Sequence, residues 1–160
     1  MDDGKEPFFN SDVCFSKVFL RSQGVYDAFE GHTFYLQSIF NELYSLLDED
    51  EECTVDMLQK AVKRKIKSFE AIYQDTLILL SQRQKEVLCA IAKARKATNI
   101  NSIEFVNKYG LNSPSSVQSA VKHLIEKELI VVDNNVYQVY DRFFGMWLST
   151  VFGNGYKLFN

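Results

Sequence analysis

The chain has 160 residues and an ordinary globular composition, 46% hydrophobic and 24% charged with 7 glycines and 2 prolines, which excludes a disordered, collagenous or low-complexity polypeptide. Its formal charge of −3 argues on its own against a polyanion binder, yet the halves differ. Residues 1–80 carry 8 Lys/Arg against 15 Asp/Glu, net −7, and residues 81–160 carry 10 against 6, net +4. The asymmetry predicts two modules, the second better suited to meet an anion.

In chain order, Asn10–Ser22 reads as a short helix ended by Gly24. From Thr33, the residues Leu36, Ile39, Phe40, Leu43, Leu46 and Leu47 recur on one helical face. The run DEDEE (48–52) is too charged to bury and reads as a loop. Thr54 has the chemistry of an N-cap, and Leu58, Val62, Phe69, Ile72 and Tyr73 predict a buried stripe on one long helix reaching towards Leu80. On the same helix Lys60, Lys63, Arg64 and Lys67 recur at i, i+3, i+4 and i+7. They form either a strip for phosphates or a solvated face, and the spacing favours the solvated face.

Ser81-Gln82-Arg83-Gln84 is a capping-box pattern opening a helix with Val87, Leu88, Ile91 and Ala92 inside. The polar break ATNIN leads to Ser102 and a short helix with Ile103, Val106 and Tyr109 inward, closed by Gly110 in a left-handed conformation. Ser113-Pro114 starts the next helix, whose inner stripe is Val117, Ala120, Val121, Leu124 and Ile125. Leu129–Val132 and Val136–Tyr140 read as a β-hairpin around Asp133-Asn134-Asn135. Asp141 caps a last helix containing Phe143, Phe144, Trp147, Leu148 and Val151, with the aromatic residues packing against the hairpin, and residues 153–160 are a tail.

Helix, helix, glycine turn, helix, hairpin is the order of a winged helix. The expected fold is mainly α, with a small helical, lid-like domain at 1–80 and a winged-helix domain with one hairpin at 81–152. The helix from Ser113 would be the recognition helix, with Ser115, Ser116, Gln118, Ser119, Lys122 and His123 outward for double-stranded DNA or a protein partner. Glu126, Glu128 and the wing-tip Asp133 dilute the positive charge and favour a protein partner.

No chemistry-bearing constellation emerges. His32 and His123 lack ligand spacing, and Cys14, Cys53 and Cys89 form no CxxC pair, so neither metal nor disulfide framework is expected. Cys89 falls on an apolar helix face, where a small buried thiol is the default. LIVVD (129–133) imitates a magnesium-binding strand, but no GxxxxGK[ST] accompanies it, so it is read as a wing strand. The start MDDGKEPFFN is acidic where a signal peptide is basic, and no apolar run approaches the ~20 residues of a membrane span. A cytoplasmic protein with no membrane partner is expected.

Four ordered segments carry a resemblance: EGHTFYLQ (30–37), LSQRQKEVLCAIAK (80–93), LNSPSSVQSAVKHLIEKELI (111–130) and VYQVYDRFFGMWL (136–148). Together they resemble the C-terminal lid and winged helix of prokaryotic AAA+/STAND ATPases, the archaeal ATPase family. In that family a Gly-x-Pro element opens the lid towards the nucleotide. The resemblance therefore implies that Gly31, His32 and Thr33 approach nucleotide in a full-length ATPase, with Thr33 replacing the proline and still capping its helix. The Asp-Pro that often precedes the Phe/Trp segment is here Asp141-Arg142. The P-loop, magnesium aspartate and sensor arginine belong to a domain that this sequence does not contain. The chain is expected to be a truncated product, a degenerate paralogue or a fragment, with no cofactor and no ATP hydrolysis of its own. Its implied role is a non-catalytic regulatory or binding module that meets a P-loop ATPase domain. The alternative is a stand-alone winged-helix transcription regulator, suggested by the net +4 half and the polar face from Ser115 to His123.

Overall fold

A computed structural model of the chain describes residues 25–27, 29–47 and 53–153. The helix expected at Asn10–Ser22 with Gly24, the DEDEE loop and residues 154–160 of the tail lie outside the described residues. The chain separates into two compact units between Lys65 and Ile66, upstream of the expected boundary at residues 80 and 81.

In the first unit, a turn precedes helix α1 (Thr33–Tyr44). The turn closes through Gly31 N–H donating to the Tyr26 carbonyl at 3.0 Å and Glu30 N–H to the Asp27 carbonyl at 3.3 Å. Glu30 and Gly31 both take positive φ, 53° and 72°. This paired pattern absorbs carbonyls that a helix end would otherwise leave open. It also moves the cap: His32, not Thr33, is the N-cap of α1, its carbonyl accepting from Tyr35 and Leu36 N–H. Thr33 is already helical, so the expected threonine cap does not form. Ile39 and Leu43 are buried.

Helix α2 (Val55–Ser68) is capped as expected, with Met57 N–H donating to Thr54 Oγ1 at 3.2 Å. It buries Leu58, Ala61 and Val62. The helix predicted to run to Leu80 is interrupted. At Phe69, φ −100° and ψ 0° tighten the chain, whose N–H reaches the Ile66 carbonyl instead of one residue further back. A new helix α3 (Glu70–Ile78) follows, with Tyr73 and Leu77 buried. The expected inward Ile72 is 60% exposed, because the break re-phases the stripe.

Helices α4 (Gln82–Ala94), α5 (Ile103–Tyr109) and α6 (Pro114–Glu126), the strands β1 (Ile130–Asp133) and β2 (Val136–Val139), and helix α7 (Arg142–Phe152) complete the second unit. This is a mainly helical winged-helix arrangement. Each start is chemically specified. Ser81 and Gln84 exchange side-chain and backbone hydrogen bonds as a complete capping box. Ser102 accepts from Phe105 N–H, and Ser113 accepts from Ser116 N–H with Pro114 in the first turn. Asp141 accepts from Phe143 and Phe144 N–H. Each such cap contributes about 1 kcal/mol. Gly110 is left-handed at φ 65°, as expected. Two expected inward residues face water instead: Ile103 is 70% exposed, with Phe105 buried beside the expected Val106, and Ile125 is 43% exposed.

Helix α4 lies at the centre, packed on α6 and α7. Val87, Leu88, Ala90, Ile91 and Ala92 of α4 are buried with Val117, Ala120, Val121 and Leu124 of α6. The aromatic residues of α7 face α3 as well. Tyr73 stacks on Phe144 at 4.8 Å and lies 5.7 Å from Trp147, while Phe69 stacks on Phe143 at 6.4 Å. Tyr73 Oη donates to Asp141 Oδ2 at 3.1 Å, and Trp147 Nε1 donates to Glu70 Oε1 at 3.3 Å. The wing is met by Gly145, where an added Cβ would stand 3.3 Å from Val139 Cβ. The aromatic group expected to pack on the wing is thus largely the seat of α3.

The hairpin turns on two residues, Asn134 and Asn135, with φ 48° and 62°, so Asp133 belongs to β1 and pairs with Val136. Two left-handed central residues match the right-handed strand twist. Ala97 adds a one-residue third strand, exchanging both backbone hydrogen bonds with Tyr137 at 2.9 and 2.8 Å. The polar break ATNIN therefore contains a sheet contact that composition did not announce. Among the described residues no helix is long and apolar enough to cross a membrane.

Candidate functional site

Helix α6 turns Val117, Ala120, Val121 and Leu124 inward, which leaves Ser115, Gln118, Ser119, Lys122 and His123 exposed on its outer side. Ser116 is only half-exposed, and its N–H donates to Ser113 Oγ at 3.3 Å. It is therefore at the edge of the outer face. Ser113 and Ser115 hydroxyls lie 3.2 Å apart, so the start of α6 spends part of its polar capacity on itself.

The charge of this face is balanced by its own carboxylates. His123 Nδ1 lies 3.1 Å from Glu126 Oε2, and both side chains are about half exposed. Lys122 makes no ion pair among the described residues. Lys127, Glu128 and Asp133 follow, all exposed. Three carboxylates thus face two lysines along the outer side of α6 and β1. A phosphate-binding surface needs an excess of cations, since affinity rises with each counterion released.

The wing contributes apolar surface that the sequence reading did not single out. Val131 is 38% and Val132 41% exposed, adjacent in β1 to the fully buried Ile130. The signal was present in LIVV itself: an uninterrupted apolar run on a strand with one covered face must leave some of its residues in water.

The remaining candidates are dispersed. Lys60, Lys63, Arg64 and Lys67 are all exposed residues of α2, and Arg64 Nε pairs with Glu42 Oε1 of α1 at 2.8 Å. An exposed pair of this kind contributes about 0–1 kcal/mol. Gly31, His32 and Thr33 come together at the start of α1. An added Cβ at Gly31 would stand 2.7 Å from Tyr26 Oη, and the His32 side chain makes no capping hydrogen bond.

Cys89 is half-buried on α4, and burial pushes its thiol up from 9.0 to about 11, with Lys93 opposing and Glu86 reinforcing the shift. A protonated thiol is a poor nucleophile and a poor metal ligand. Among the described residues no group of three or more His, Cys, Asp or Glu is placed to hold a metal ion. An open polar depression lined by Gln82, Arg83, Glu86, Gly110, Leu111 and Asn112 contains no buried nucleophile or base.

A family model described as "Probable winged helix domain" matches residues 71–150, half of the chain. The match begins inside α3, and it includes the whole of α4 to β2. No curated protein and no solved structure matches the chain.

Proposed function

The chain belongs to the winged helix domain family, and from that premise we propose that it is a non-catalytic binding module, the lid and winged-helix portion of an AAA+/STAND-type ATPase. The observation that carries this reading is the order of parts: a helical unit opened by the Gly31-His32 turn, followed by the winged helix. That is the order of the ATPases which the four sequence segments resemble. Two details support it. His32 supplies no side-chain cap, so the first-turn N–H groups of Thr33 and Phe34 have no partner among the described residues. Helix N-termini of this kind suit anions. The sequence also holds no GxxxxGK[ST], so it lacks the loop that would cradle the phosphates by itself.

In this reading a nucleotide held by a P-loop domain biases the position of the helical unit, and the winged helix carries the contact with a partner. Such coupling needs only differential contact with two states of the lid. The test is calorimetric titration of the 160-residue chain with Mg-ATP, together with a phosphate-release assay. No turnover and no heat of binding at micromolar ATP are expected. Micromolar affinity or measurable hydrolysis by the chain alone overturns the reading.

A further inference from the structure

The hairpin register determines which backbone groups of the wing remain available. Tyr140 N–H donates to the Leu129 carbonyl at 3.0 Å, so that carbonyl and the backbone groups of Val131 and Asp133 point towards β2, while Leu129 N–H donates to the Leu124 carbonyl. Alternation then turns the N–H and C=O of Ile130 and Val132 away from β2. The same alternation on β2 turns Tyr137 outward, where it pairs with Ala97. One side of the sheet is therefore closed by Ala97, and β1 forms the other side. Ile130 is buried, but Val132 is 41% exposed and its outward groups have no partner among the described residues.

We propose that the open edge of β1 at Val132 docks an extended polypeptide strand with apolar residues at its centre and Lys or Arg at its ends. The proposal deepens the binding-module reading by naming the partner of the wing face. Three observations converge on it. Unpaired edge groups are a template for an added strand, and main-chain hydrogen bonds supply much of the affinity in that mode. Val131 and Val132 offer apolar contact on the two faces of the strand, matching alternate side chains of an incoming chain. Asp133 closes β1, and Glu128 sits in the turn that leads into it with φ 56°, so an exposed carboxylate flanks the strand on each side. Lys127 adjoins one of them and leaves the edge acidic. A second copy would bring the same carboxylates to this edge, so the charge favours a different, basic-ended chain. A nucleic acid would meet three exposed carboxylates, Glu126, Glu128 and Asp133, against two lysines, Lys122 and Lys127, across α6 and β1.

The experiment is fluorescence anisotropy on the full chain. The probe is a fluorescein-labelled peptide of about seven residues, alternating valine and threonine, with lysine at both ends. Saturable binding is expected, weakened at least tenfold by Val132→Pro. That substitution removes the outward N–H and no hydrogen bond of the ladder to β2. Asp133→Lys is expected to reverse the preference from the lysine-ended peptide to a glutamate-ended one. Because the Asp133 side chain is exposed, this variant keeps the test valid even if the proline variant fails to fold.

Absence of saturation, or unchanged affinity in a folded Val132→Pro variant, overturns the proposal. So does displacement of the peptide by a DNA duplex whose own binding weakens with salt. Self-association abolished by Val132→Pro likewise overturns it, by assigning the edge to a second copy. All of these leave the Mg-ATP titration untouched, so failure of the strand proposal is distinct from failure of the module reading.

Discussion

Replacing Tyr73 by alanine tests the observation that α3 belongs to the core of the second unit. The ring is 4% exposed, stacked 4.8 Å from Phe144 and 5.7 Å from Trp147. Truncating a buried aromatic residue costs about 3–5 kcal/mol through lost transfer energy and the cavity left behind. Tyr73→Phe keeps the ring and deletes only the hydrogen bond to Asp141, whose other oxygen still accepts from Phe143 N–H at 2.9 Å. That loss is worth about 1–2 kcal/mol. Trp147 is the only tryptophan in the chain and lies beside Tyr73, so urea unfolding followed by its fluorescence reports on this unit. With a urea slope of about 1.5 kcal/mol/M, the midpoint is expected to fall by about 2–3 M for Tyr73→Ala and by about 1 M for Tyr73→Phe. An alanine variant that shifts the midpoint by less than about 0.5 M refutes the assignment of α3 to this core.

Two further outcomes follow from local chemistry. Gly31→Ala places a Cβ 2.7 Å from Tyr26 Oη at φ 72° and is expected to cost the first unit about 1–2 kcal/mol, read as faster amide exchange at His32 and along α1; unchanged protection contradicts the left-handed turn. Cys89 has its folded value raised from 9.0 to about 11, so its contribution is full below pH 9 and is lost as pH rises towards 11. The Trp147-monitored midpoint should therefore decline more steeply above pH 9 in the parent than in Cys89→Ala, and equal slopes would contradict burial of the thiol.

The winged helix was legible in the sequence because its boundaries are chemical. Ser81, Ser102, Ser113 and Asp141 are side-chain caps that accept from first-turn N–H groups, and Gly110 and the Asn134-Asn135 pair are residues that tolerate positive φ. What escaped the reading was tertiary. Phe69 carries no helix-breaking side chain, yet one tightened turn re-phases α3 and puts Ile72 in water. Thr33 is as good a cap by type as Thr54, but the Glu30-Gly31 turn brings the chain to helical geometry one residue too early for it. Ala97 pairs with Tyr137 through backbone atoms alone, and no side-chain pattern signals that contact. On α6, Ser115, Gln118, Ser119, Lys122 and His123 are exposed and Ser116 is half-exposed. The exposure of Val131 and Val132 is not legible in LIVV, since four apolar residues in a row do not reveal which of them lack a neighbour.

The Ala97–Tyr137 bridge bears on the order in which the second unit assembles. The β1–β2 hairpin joins neighbours across a two-residue turn, a closure completed in about 1–10 μs. The bridge instead joins positions 97 and 137, so the chain must enclose α5, α6 and β1 before those two hydrogen bonds reward the entropy lost. The hairpin therefore belongs to the early, local phase of folding, and its attachment to the strand at Ala97 belongs to the late phase. Substitutions at Asn134 or Asn135 should appear in the folding rate, while weakening the bridge should appear chiefly in the rate of unfolding.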